Sequence, residues 1–283
     1  MMPRPLSRHY AHNARLSQFV RGTMITIDID PVAFTIGTVS VRWYGIFVAL
    51  SILVIVLWVL REVRRGAKLS YDTIFAGALV GIPSGIVFSR LLHVVDRWDY
   101  YSQNPGHIIG AEGLTFYGAV LGAALGIWIY SKLGNFQFGY LADLVAPAIL
   151  LGQAIGRVGC TINGCCYGIA TSLPWGLVYT HPDSYAPLGV AVHPTTVYEI
   201  IYNMIVFTVL LRLRGRFKPD GSLFLIYLSL YALWRVGTDF LRDGTPFLFG
   251  LHQAQVIGIV VLAIAIPILA YRTRWVKAES SAG

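Results

Sequence analysis

Residues 43–65 read WYGIFVALSILVIVLWVLREVRR, a run that carries no charge from Trp43 to Leu60 and stops on Arg61, Arg64 and Arg65. An α-helix rises about 1.5 Å per residue, so roughly 20 such residues cross the hydrocarbon core of a bilayer with every backbone polar group satisfied internally. Apolar stretches of helix length recur at 72–92, 113–131, 140–157, 194–211, 221–237 and 253–271. The pattern predicts an all-α polytopic membrane protein with about seven transmembrane helices. With 55% hydrophobic and only 13% charged residues, the 283-residue chain is too apolar for a soluble core. Its net charge of +8 falls in short clusters between the apolar runs, which fits anionic membrane lipid and membrane orientation; no nucleic acid partner is expected.

The clusters set the orientation. Arg61, Arg64, Arg65 and Lys68 follow the first segment, Lys132 the third, Arg212, Arg214, Arg216 and Lys218 the fifth, and Arg272, Arg274 and Lys277 the seventh. Odd-numbered segments therefore exit into positive loops, which places the amino terminus outside and the carboxyl terminus in the cytoplasm. Residues 93–112, 158–193 and 238–252, rich in turn formers and polar tips, then form a small extracytoplasmic loop region where function is expected. Residues 1–23 are a basic tail whose Arg4, Arg8, Arg15 and Arg21 run against this orientation. They are expected to lie outside the fold, as a start codon assigned upstream of Met24 would leave them. A single transmembrane domain is expected over 24–275 and a cytoplasmic tail over 276–283.

Glycines at four-residue spacing, Gly77, Gly81 and Gly85, then Gly118, Gly122 and Gly126, then Gly152 and Gly156, predict close helix packing. Pro83 and Pro147 are expected to kink the second and fourth segments.

Charged residues near apolar spans are costly, so each carries a functional hypothesis. Arg157 ends the fourth segment in GRVGCTINGCCYG, residues 156–168, where glycines are expected to expose backbone N–H groups around a fixed positive charge and cradle an anion. The competing reading is an arginine that snorkels to the headgroups. Tyr231, Arg235 and Asp239 share one helical face at four-residue spacing; the arginine and the aspartate can also simply neutralise each other. Together the two arginines suit a phosphate, which guanidinium grips in a bidentate way that lysine does not. Tyr44, Tyr117, Gly118 and Asn163 stand beside them in the outer segments as candidate substrate contacts, although interfacial tyrosines are also ordinary membrane anchors. His193 opens the fifth segment ahead of Pro194, with Glu199 deeper in the same helix. Its reference pKa near 6.5 suits proton transfer, and it equally suits a helix cap. Cys160-x4-Cys165-Cys166 lacks the usual zinc spacing, and adjacent cysteines rarely ligate one ion, so no metal and no cofactor is expected. A disulfide between Cys160 and a neighbour fits an outward loop better.

These residues resemble the prolipoprotein diacylglyceryl transferase family from about Met24 to Tyr271. The likeness rests on RWYG at 42–45, GLTFYG at 113–118, Ala142-Asp143, His193-Pro194 followed by Tyr198-Glu199, DGSLF at 220–224, and Tyr231-x3-Arg235-x3-Asp239. The family signature G-R-x-G-N-F-x-N-x-E-x-x-G is matched at Gly156, Arg157, Gly159, Asn163 and Gly168. Cys160, Thr161 and Cys165 stand where the family carries Asn, Phe and Glu, and Tyr117 stands where it carries His. The resemblance implies transfer of an sn-1,2-diacylglyceryl group from phosphatidylglycerol to the lipobox cysteine thiol of prolipoprotein signal peptides. A thioether forms and glycerol phosphate leaves, at the outer face of a bacterial cytoplasmic membrane. For that reaction Arg157 and Arg235 are expected to stabilise the leaving phosphate, His193, from its reference pKa, to transfer the proton, and Tyr117 to position the substrate, with substrate contacts from Arg157, Tyr44, Asn163, Tyr231, Asp239, Glu199 and Gly118. A membrane thiol–disulfide protein using Cys160, Cys165 and Cys166, or a lipid transporter, are the alternatives.

Overall fold

The structure, a computed structural model, describes residues 24–110, 115–134, 136–242, 244 and 247–276, without the side chains of Phe116 and Tyr117. The basic tail 1–23, the start of the GLTFYG motif and nearly all of the carboxyl-terminal tail lie outside the described residues. Seven apolar helices follow one another: α1 (Trp43–Arg64), α2 (Tyr71–Asp96), α3 (Phe116–Leu133), α4 (Phe138–Asn163), α5 (Thr195–Leu213), α6 (Ser222–Thr238) and α7 (Gln253–Arg272). Among the described residues, six stretches are long and apolar enough to cross a membrane, α6 when continued to Leu241, and the Gly118–Leu133 part of α3 is a shorter apolar helix. Pro83 and Pro147 lie inside α2 and α4, which continue on both sides of them.

The chain divides into two compact units, Val56–Leu144 and Met1–Ile55 with Val145–Gly283. In the first, α2 and α3 pack through glycine. Apolar side chains gain little by leaving lipid for protein, so helix contact in a bilayer depends on close van der Waals approach. A Cβ added at Gly122 would lie 2.5 Å from the Ser84 carbonyl oxygen and 2.4 Å from Phe88 Cβ; at Gly126 it would lie 2.1 Å from Ser84 Oγ. Gly81, Gly85 and Gly118 are similarly crowded, whereas Gly77 has nothing within 4 Å. The stripe read from spacing is therefore a contact surface from Gly81 onward and not at Gly77. Gly122→Ala is expected to cost about 1–3 kcal/mol. It should lower the unfolding temperature in detergent, whereas Gly77→Ala should hold or raise it. Equal unfolding temperatures for the two variants would refute the contact.

In the second unit a core of Ala146, Leu150, Val206, Leu210, Leu223 and Tyr227 joins α4, α5 and α6. Ser51 donates to the Gly152 carbonyl at 2.8 Å, fastening α1 to α4 at a glycine that admits Ile55 and Ser51. Short strands supplement the helices. β1 (Ile25–Ile27) runs parallel to β4 (Leu177–Tyr179), and β4 pairs antiparallel with β5 (Ala191–Val192). This sheet buries Leu177, Tyr179 and Val192 with Ala170, Ala186 and Val190, which gives the segment after α4 its own small core. β2 (Val32–Ile36) and β3 (Val39–Arg42) form a hairpin that leads into α1. β6 (Phe217–Lys218) pairs with β7 (Arg274–Trp275), so the basic stretches that follow α5 and α7 lie side by side. Positive-inside reasoning requires those two loops to share a face.

Candidate active site

The end of α4 is built by a helix stop. Gly164 takes a left-handed φ of 68° that only glycine adopts at little cost. The Cys165 N–H then bonds back to the Cys160 carbonyl at 3.1 Å and the Gly164 N–H to the Thr161 carbonyl at 3.3 Å. This pair of bonds is the Schellman motif, which folds the residue after the stop onto the last helical turn. One expectation is corrected here. Residues 156–163 are helical, so the glycines around Arg157 form no loop cradle of free N–H groups. They are spent instead on helix contact: a Cβ at Gly159 would meet Phe47 Cβ at 2.8 Å and Tyr44 Cα at 3.2 Å.

Arg157, thus placed near the C-terminal end of α4, directs Nε to Glu199 Oε1 at 2.9 Å. Glu199 lies near the N-terminal end of α5 with its side chain 1% exposed. Glu199 receives two further contacts, the Tyr231 hydroxyl at 3.4 Å and Arg242 Nη2 at 3.9 Å. Arg235, in the last turn of α6, donates to Asp239 at 3.3 Å, and Asp239 is held on its other oxygen by His252 Nδ1 at 2.9 Å. The predicted Arg235–Asp239 pair is therefore present, and one carboxylate orients both an arginine and a histidine. Two buried guanidinium nitrogens, Arg235 Nη1 and Arg242 Nε, have no hydrogen-bond partner among the described residues. Burial, and then the neighbouring Arg235, push the Arg242 guanidinium below its ordinary pKa. Arg157 acts on it in the same sense, so Arg242 lies in the field of both other arginines.

Sequence reasoning missed Arg242 and His252. Arg242 follows Arg235 by seven residues, close to two helical turns, a spacing that could have drawn attention to it. His252 is the N-cap of α7 in a capping box with Gln255, a structural position that conceals its bond to Asp239.

Asn163 is buried and accepts from Arg42 Nη1 at 3.0 Å, while Arg42 also covers the Tyr185 ring at 4.6 Å. Tyr44 is exposed at the start of α1. His193 lies between β5 and α5, with Nδ1 3.4 Å from the Tyr198 hydroxyl, and no ion pair of the cluster includes it. Burial lowers its pKa from the ordinary histidine value. Gly118 lies in the first turn of α3 against the Phe88 carbonyl and Ser89, in the Val56–Leu144 unit. Tyr117 precedes it, and its side chain lies outside the described residues.

All three cysteines are free thiols, so the expected disulfide is not formed. Cys160 is the buried one, Cys166 the exposed one, and the three sulfurs lie within 4.8 Å of one another. Arg157 Nη1 lies 3.7 Å from Cys160 Sγ. Hydrogen bonds from the Cys160 and Cys165 thiols hold the Cys166 thiol well below its ordinary pKa, and Arg157 and Arg242 act in the same direction.

Apolar helices that enclose an arginine-rich, carboxylate-braced cluster define an integral membrane protein with a buried polar site. The family profile described as prolipoprotein diacylglyceryl transferase matches residues 31–271. A phosphatidylglycerol–prolipoprotein diacylglyceryl transferase of Dehalococcoides mccartyi is 52% identical over 251 residues, 89% of this chain and 96% of the relative. Proteins of the same name from Clostridioides difficile and Lysinibacillus sphaericus are 36% and 34% identical, over 82% and 90% of this chain and 91% and 96% of their own lengths. The chain belongs to the prolipoprotein diacylglyceryl transferase family.

Proposed function

We propose that this protein transfers the diacylglyceryl group of phosphatidylglycerol to the cysteine thiol of a prolipoprotein signal peptide, the reaction its relatives' names state. The observation that carries the reading is the pair of buried guanidinium nitrogens, Arg235 Nη1 and Arg242 Nε, that have no partner among the described residues. Phosphatidylglycerol is a phosphodiester, and its displaced glycerol phosphate gains charge as the C–O bond breaks. Fixed guanidinium donors stabilise that charge without having to reorganise. Arg157, Arg235 and Arg242 hold the phosphate; Glu199 and Asp239 brace them, and Tyr231 fixes Glu199. Tyr44, Asn163, Tyr117 and Gly118 are assigned to positioning the lipid and the peptide.

The substrate sulfur attacks the glyceryl carbon that bears the phosphate ester. The C–S bond forms, the C–O bond breaks, and its electron pair leaves on the phosphate oxygen. His193 is assigned as acceptor of the thiol proton, because burial disfavours the charged form of its ring. The protein is assigned to the bacterial cytoplasmic membrane with seven spans, the amino terminus outside and the site toward the extracytoplasmic face; the paired basic stretches after α5 and α7 support that sidedness.

The test is complementation of a transferase-depleted bacterium, followed by mass measurement of a model lipoprotein. One added diacylglyceryl group is expected, and unmodified protein would reject the reading. In the purified reaction the rate should hold as pH falls through the ordinary histidine range and drop only below it, a step that His193→Gln should remove.

A further inference from the structure

A histidine with a pKa below about 6.5 is a poor acceptor for a thiol of about 8.5, with transfer roughly a hundredfold uphill. Cys160 and Cys165 are joined by the helix stop at Gly164, which folds Cys165 back onto the carbonyl of Cys160. Successive side chains of an extended strand point to opposite sides, so adjacent cysteines ordinarily diverge. Cys166 escapes this because its φ is 61°, left-handed and uncommon for a residue with a Cβ. The Thr195 hydroxyl fixes that geometry by donating to the Cys166 carbonyl at 2.6 Å. Local backbone features thus bring the sulfurs within 4.8 Å of one another, although their spacing in sequence suggested otherwise.

We propose that Cys160, Cys165 and Cys166 bind one zinc-class divalent ion whose fourth position takes the prolipoprotein cysteine as thiolate. Tetrahedral Zn–S bonds of about 2.3 Å set the sulfurs about 3.8 Å apart, so a small contraction completes the site. Three protein ligands with one open position is the arrangement of catalytic zinc, and coordination deprotonates a thiol outright. Of the three ligands Cys166 is exposed and Cys160 buried, so a peptide thiol would approach the ion from the side of Cys166. As the ion binds, protons still on the three thiols pass to solvent, and a dication with three thiolates carries one net negative charge, the same as a single thiolate, beside the guanidinium of Arg157. The peptide sulfur loses its proton to His193 as it binds the ion. It then attacks the glyceryl carbon, and the neutral thioether, a weaker ligand than a thiolate, dissociates. No electrons are exchanged with an outside reagent. The inference rests on the transferase reading for its substrate, but the ion site itself does not.

The full chain, purified reduced in detergent, is loaded with zinc or cobalt(II). We expect one zinc per chain by mass spectrometry and an intense thiolate-to-cobalt charge-transfer band. A signal peptide with its lipobox cysteine should shift the cobalt ligand-field bands, and the serine analogue should not. Cys166→Ser, at an exposed position, should weaken zinc affinity more than tenfold with an unchanged elution profile. Metal-free protein should transfer lipid more than tenfold more slowly. No stoichiometric metal, a Cys160 disulfide in its place, or a spectrum indifferent to the cysteine peptide would overturn the proposal. Metal binding with the peptide-dependent shift but no lipid product in any form would instead reject the transferase reading and leave the ion site standing.

Discussion

Arg157→Lys is expected to lower thioether formation by roughly 10²–10³-fold, with the protein still inserted and monodisperse. The charge is kept, so membrane insertion and the overall field are little altered. The geometry is not kept. Arg157 uses Nε to bind Glu199 at 2.9 Å while Nη1 turns toward Cys160 Sγ at 3.7 Å. One guanidinium is thus anchored by its inner nitrogen and presents its outer edge. An ammonium is a single donor centre at the end of a flexible stem and cannot be anchored and presented at once. Arg235→Lys should behave alike, because Nη2 is committed to Asp239 and Nη1 has no partner among the described residues. The loss should fall on the chemical step more than on lipid affinity, since the bond to the leaving phosphate strengthens as charge develops. Mass measurement of a model lipoprotein against time gives the rate. Wild-type rates in both variants would sink the phosphate clamp.

The spans were legible because hydropathy over some 20 residues is a property of the segment and does not depend on its partners. Residues 156–163 were not, because glycine signals both a loop and a close helix contact, and only the presence of Tyr44 and Phe47 opposite Gly159 decides between them. The strands β4 and β5 were invisible since they have three and two residues, too short for alternation to register. Within the site, local pairs could be read and distant ones could not. Arg235 and Asp239 are four apart on one helix, whereas Arg157 reaches Glu199 across two helices and Arg242 joins them from beyond α6. The cysteines show the same limit: their spacing argued against a shared ion, and a left-handed φ at Cys166 reverses that argument.

Glu199→Gln is expected to destabilise the protein by about 3–5 kcal/mol, the cost of removing one partner from a buried ion pair. The substitution preserves volume and one acceptor oxygen, so packing against Tyr231 is retained. What it removes is the charge shared by Arg157 at 2.9 Å and Arg242 at 3.9 Å. The side chain is 1% exposed and the two arginines 18% and 15%, so water screens little of the imbalance. The unfolding temperature in detergent should fall on the order of 10 °C. Removing a cation as well, in Glu199→Gln with Arg242→Gln, should cost less than the sum of the two single changes, because the second substitution relieves repulsion left by the first. Additivity in that cycle, or an unchanged unfolding temperature in Glu199→Gln, would show that the carboxylate does not balance the arginines. Coupling would establish that Glu199 holds two cations at a spacing they would not otherwise keep, which is what allows a phosphate to bind there without the protein having to rearrange.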